Sequence, residues 1–113
     1  MANWEIIMQI VMQVIARSKD QESLRQAIIN DHHLENFDLF VAEKQNPRRG
    51  NGWSKLHSRK NTNVINIEWD GASKILTCRF ISKKGTPDQI AGDFLSYLMK
   101  FYRTRIRSVL VTP

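Results

Sequence analysis

Apolar residues recur along this chain with two different periods, and the period changes near residue 37. In the first stretch Trp4, Ile7, Met8, Val11, Val14 and Ile15 fall at helical spacing, while Ile6, Ile10 and Met12 spread the apolar surface around the axis. This pattern predicts a first helix ending near Ala16. One of its faces covers a sheet. The remainder is covered by a second helix or forms the seam of a homodimer through Ile6, Ile10 and Met12. Ser18-Lys19-Asp20-Gln21 has the form of a capping box, in which a hydroxyl and a Gln side chain satisfy free helix amides reciprocally. It predicts a second helix over 19–31, with Leu24, Ala27 and Ile28 inward.

From Phe37 the period becomes two. Phe37–Val41 reads as a first strand, and Asn46-Pro47-Arg48-Arg49-Gly50-Asn51-Gly52 as turn chemistry, a mobile basic loop. Trp53–Arg59, Val64–Trp69 and Ile75–Ser82 follow as strands. Four-residue loops at 60–63 and 70–73 pair Leu56 with Ile67, Lys55 with Glu68, and Ile67 with Leu76. Both hairpins then share one apolar face holding Leu56, Ile65, Ile67, Trp69, Leu76, Cys78 and Phe80. The other face holds Trp53, Lys55, His57, Arg59, Asn66, Glu68, Thr77 and Arg79, with Val64, Ile75 and Ile81 among them.

Thr86-Pro87-Asp88-Gln89 signals a helix start, with Thr86 as cap and Pro87 in the first turn. The helix runs to about Arg103 with Ile90, Ala91, Phe94, Leu98, Phe101 and Tyr102 inward, and Ile106–Thr112 is strand-like. A strand, a helix and a strand with short joints predict a βαβ crossover, the last strand lying parallel beside Ile75–Ser82. The expected architecture is α+β, a single domain over 1–113. Its parts are two N-terminal helices (1–36, net acidic) and a mainly antiparallel sheet of four or five strands with a helix (37–113, net basic).

Composition narrows the class. The chain has 113 residues, 42% of them hydrophobic and 25% charged, as in ordinary globular domains. The single cysteine, Cys78, leaves no intrachain disulfide and no Cys-based zinc site, which favours a reducing, cytoplasmic setting. The apolar run Ile6–Ala16 is shorter than the roughly 20 residues a bilayer span needs, and Glu5 stands where a signal peptide carries positive charge. No membrane association and no cofactor are expected.

Charge is divided sharply. Residues 1–43 carry Arg17, Lys19 and Arg25 against seven acids, and residues 44–113 carry fourteen Lys/Arg against four. A basic surface confined to one part of a small domain faces a polyanion or an acidic partner. The candidate nucleic-acid-binding residues are Arg48, Arg49, Trp53, Lys55, His57, Arg59, Lys60, Arg79, Lys83 and Lys84. The cations would neutralise phosphates, and Trp53 would offer a plane for a base. The alternative for that face is a solvated ion-pair surface, or one covered by the acidic helices.

Arg103, Arg105 and Arg107 suit the negative end of the last helix. His57 is the one candidate acid or base, with Glu68 or Asp70 as partner. Neighbouring His32 and His33 diverge on a helix and lack metal-ligand spacing, so no metal site is expected. The leading expectation is a non-enzymatic nucleic-acid-binding protein. A small protein-interaction or regulatory subunit, self-associating through the first helix and engaging an acidic protein, is the alternative, and a toxin-like small ribonuclease using His57 is the third.

Overall fold

A six-stranded, wholly antiparallel sheet carries the fold, with strands in the order β2-β3-β4-β5-β1-β6. The structure is a computed structural model and describes residues 8–19, 22–45, 48–50 and 52–113. In chain order the elements are β1 (Met8–Ala16), α1 (Leu24–Ile29), a 3-10 helix (His32–Phe37), β2 (Leu39–Glu43), β3 (Trp53–Ser58), β4 (Val64–Asp70), β5 (Ile75–Ser82), α2 (Asp88–Phe101), a 3-10 turn (Arg103–Arg105) and β6 (Ile106–Thr112). The class is α+β.

The expected first helix is a strand. Gln9 and Gln13 lie four residues apart, a spacing that puts them on one face of a helix and equally on one face of a strand. What decides is the alternation of Met12, Val14 and Ala16, all buried, with Val11 and Ile15, half-buried on the reverse face. β1 is flanked by β5 and β6, so both sets of its backbone groups are used in the sheet, and its β-branched residues favour extended backbone. Met12 is 1% exposed and Ile10 packs against the core. Neither is available for the expected dimer seam, and Ile6 falls outside the described residues.

The second helix is short. Ser23 caps α1, its hydroxyl accepting from the Gln26 N–H at 3.1 Å. Ser18 and Lys19 sit in a turn, and the rest of the expected capping box falls outside the described residues. At α2, Pro87 occupies the N-cap without a side-chain cap bond, so Thr86 does not cap the helix.

The β3-β4-β5 meander keeps its expected faces but not its register. Leu56 pairs with Ile65 and Ile67 with Cys78, each two residues from the expected partner. A shift of two returns every side chain to the same face, so the buried set is unchanged. The turns explain the shift. Asp70 accepts from the Ala72 and Ser73 amides at 3.0 and 3.4 Å, and Lys74 takes a left-handed φ of 57°, so the loop is 71–74 and Asp70 pairs with Ile75. Cross-strand partners change with it: Lys55 stands opposite Asn66, and Trp53 opposite Glu68.

β6 runs parallel to β5 but is not its neighbour, because β1 lies between them and is antiparallel to both. The sheet therefore has six strands, and the expected adjacent βαβ unit is split by the first strand. α1, the 3-10 helix and α2 all bury apolar residues against the inner face, in one cluster that includes Leu24, Ile28, Leu56, Ile65, Ile67, Phe80 and Phe94. The acidic helical segment thus lies opposite the basic face and does not cover it.

Asp31 ties the helical elements to one another. Its carboxylate accepts from the Tyr97 and Tyr102 hydroxyls at 2.8 and 3.0 Å and from the His33 amide at 3.0 Å. Burial pushes its pKa up, but these hydrogen bonds outweigh it and hold the carboxyl below the usual range.

Candidate functional site

The outer face of the sheet has no described helix over it, and its rows follow from the register. One row runs Phe40, His57, Val64, Ile81 and Gln9, and the next Glu43, Lys55, Asn66, Arg79 and Val11. A third runs Trp53, Glu68, Thr77 and Gln13. Strand β3 therefore presents Trp53, Lys55 and His57 together, with Trp53 and His57 about 13 Å apart at about 3.3 Å per residue.

Two aromatic groups flank Lys55. Arg49 lies over the Trp53 ring at 5.1 Å, which places the basic loop against this face. His57 stacks on Phe40 with ring centroids 5.5 Å apart, and the Arg59 guanidinium lies over the same Phe40 ring at 5.9 Å. Beside His57 a recess of about 320 Å³ is lined by Lys55, His57, Thr62, Val64, Ile81 and Lys83. Its floor is apolar and two ammonium groups line it. Burial, and then Lys55, push the His57 pKa below its ordinary value, with Glu43 acting in the opposite sense. The neutral, stacking form of the ring is thereby favoured over the cation at pH 7.

Support for this face comes from beneath. Arg25 is 8% exposed, and its guanidinium donates to the Ser54 hydroxyl at 2.8 Å and the Lys44 carbonyl at 3.2 Å, tying together the two ends of the basic loop. Burial lowers its pKa. Gly52 accepts from the Trp69 N–H at 3.0 Å, and a Cβ there would sit 3.0 Å from the Trp69 carbonyl oxygen. That close approach fixes where β3 starts and hence where Trp53 stands.

The other expected residues divide. Lys83 lines the recess, Lys84 is exposed just beyond it, and Arg48 is exposed in the turn before Arg49. Arg59 also pairs with Glu35 at 3.8 Å. Lys60 faces away from the site. Its ammonium lies 3.2 Å from Asp93 on α2 and 3.5 Å from Asp38, and the Asp93 contact first of all raises its pKa. It braces the β3–β4 turn against the helical layer. Arg105 donates to the Glu22 carbonyl at 2.9 Å and lies over Tyr102, so it belongs to the joint between the chain's two ends. Asp70 caps its own turn at the opposite end of β4 from Val64, the residue facing His57.

His32 and His33 do not diverge. A 3-10 turn brings their rings to 4.2 Å, and Asp31, His32 and His33 each offer a ligand atom within 4.8 Å of the others. The Asp31 oxygens already accept from His33 and both tyrosines, which accounts for the cluster as the cap of the 3-10 helix.

Phe40, Thr62, Val64 and Ile81 join the face without being among the expected site residues. Phe40 has a signal in the sequence, because it is out of phase with inward-facing Leu39 and Val41. No protein-family model matches this chain, and neither a curated protein nor a solved structure shows significant similarity to it. Among the described residues no helix is long and apolar enough to cross a membrane.

Proposed function

We propose that the protein binds single-stranded nucleic acid on the outer face of its sheet. The observation that carries this reading is the β3 row, in which Lys55 stands between Trp53 and the His57–Phe40 stack, beside a recess flanked by Lys83. Bases of any sequence stack on aromatic planes, and cations between the planes meet the phosphates. Arg49, Lys55, Arg79 and Lys83 are the phosphate contacts, with Arg48, Arg59 and Lys84 at the margin. Glu43 and Glu68 on the same face disfavour a continuous duplex backbone and leave room for a strand that threads between them.

The test is a fluorescence-anisotropy titration against short single- and double-stranded RNA and DNA at several salt concentrations. Single strands should bind best, with log affinity falling linearly with log salt. Lys55→Glu with Arg79→Glu should weaken binding at least tenfold and reduce the slope by about 1.4, at roughly 0.7 per phosphate contact on a single strand. No binding at low salt, or an unchanged slope in the double variant, would overturn the proposal.

One observation favours a second reading. His57 is favoured in its neutral form next to Lys55 and Lys83, which suits a general base beside groups that stabilise a charged phosphorane. A ribonuclease predicts that His57→Ala abolishes cleavage of bound RNA and leaves its binding intact.

A further inference from the structure

The two edges of the sheet are treated differently. β2 is short, its register slips between Val41 and Glu43, and Arg59 lies over its exposed Phe40, devices that blunt an edge against further pairing. β6 has seven residues, and between Ser108 and Thr112 it carries no charge and no proline. Leu110 and Val111 are 56% and 52% exposed there, the most exposed large apolar residues described. Under this edge the core lies open along a groove of about 320 Å³ where Leu95 and Met99 of α2 meet Val109. Among the described residues nothing pairs with this edge, and an unprotected apolar edge of this kind is a pairing surface.

From these features we infer that β6 pairs antiparallel with β6 of a second copy, about a two-fold axis at Leu110. The hydrogen-bond phase permits it. The Ala16 amide bonds to Lys74 on the β5 side and the Arg17 amide to Arg105 on the β6 side, so odd residues of β1 address β6. Leu110, opposite Gln13, thus spends its backbone groups on β1, and Val109 and Val111 present theirs to the open edge. With the axis at Leu110, Val109 meets Val111, Ser108 meets Thr112 and Leu110 meets itself. An axis one residue earlier would set Val111 against Arg107 and Leu110 against Ser108.

The second layer fits the same axis. Asp88, Gly92, Leu95, Ser96 and Met99 share one flank of α2 at helical spacing, and Arg103, in the 3-10 turn that follows, lines the same groove as Leu95 and Met99. Antiparallel apposition of that flank sets Gly92 against Met99 and Ser96 against Leu95, with Asp88 against Arg103 at both ends. A stable dimer buries roughly 1,200 Å² or more, which calls for this second layer beside the strand pair.

The result is one twelve-stranded sheet with both outer faces on the same side. The two β3 rows are then separated by nine strand spacings, roughly 43 Å at about 4.8 Å each. The inference does not depend on what the outer face binds.

Sedimentation equilibrium on the full chain, without nucleic acid, tests it. The wild type should show twice the 13.2 kDa monomer mass. Leu110→Glu places like charges at the axis and should weaken dimerisation at least tenfold, with unchanged circular dichroism because the side chain is already exposed. Asp88→Arg should weaken it, and Asp88→Arg with Arg103→Asp should restore it. Leu110→Cys should cross-link to a covalent dimer on oxidation, whereas Thr112→Cys, which faces position 108, should not. A monomer at 200 µM, a dimer indifferent to Leu110→Glu, or equal cross-linking at both positions would overturn the inference.

Discussion

The two faces of the sheet are built from the same strands and differ only in phase. Inward residues of β3, β4 and β5, half-buried Trp69 apart, are buried against the helices, and outward ones are mostly half-buried and carry Trp53, Lys55, His57 and Arg79. The difference shows how a small domain keeps cohesion and recognition apart. Alternate positions of one strand serve each, and a substitution falls on one side or the other.

The largest test of that separation lies in the core. Phe94 is fully buried, its ring 5.8 Å from Phe80 and 6.0 Å from Tyr97. Phe94→Ala should cost about 3–5 kcal/mol in chemical denaturation, while any protein that remains folded keeps its nucleic-acid affinity. Loss of affinity per folded molecule would break the comparison.

Trp53→Ala comes next and should act in the opposite way. It should cost about 1–3 kcal/mol of single-strand binding and leave the melting temperature nearly unchanged. Its readout is anisotropy beside a thermal melt.

Asp31 sharpens the inner side through pH. Its folded pKa is depressed, so the stability it contributes is complete above its unfolded value of about 3.9 and is lost as pH falls through the lower folded value. Asp31→Asn should therefore cost about 1–2 kcal/mol at pH 7 and progressively less as the pH falls below about 3.9, read by denaturant midpoints across that range.

The smallest effect is at His57. Its folded pKa is depressed, so below about pH 6.5 the unfolded chain takes up more protons than the folded one, and stability falls on acidification from pH 7 to 5. His57→Gln should flatten that slope, and an NMR titration of the ring should show a midpoint below the ordinary histidine value.

Much of this is legible in the sequence where local rules act alone. The phase of β3, β4 and β5 follows from Leu56, Ile65, Ile67, Cys78 and Phe80, because alternation needs no knowledge of register, and it puts Trp53, Lys55, His57 and Arg79 on one face whatever their cross-strand partners. The two-residue slips escape because Asp70 and Asn61 form their turns by side-chain bonds to backbone amides, which several loop lengths accommodate. β1 escapes for a deeper reason. Gln9 and Gln13 recur at a spacing that fits a helix face and a strand face alike, the residues between them are nearly all apolar, and only the placement between β5 and β6 separates this strand from a helix. The roles of Lys60 and Arg25 stay hidden because they depend on contacts from Asp93 on α2 and Ser54 on β3.

The position of β1 also governs when the molecule can become itself. Ile15 pairs with Ile75 on one side and Ser108 on the other, so the middle of the sheet waits for the last strand of the chain. Such long-range closure slows folding toward the millisecond-to-second range of β-rich domains. During synthesis the β2–β5 meander can assemble early, but β1 keeps an unpaired side until β6 arrives. For that interval β1 is an open edge of the nascent chain, and its neighbours on a polysome carry the matching strand.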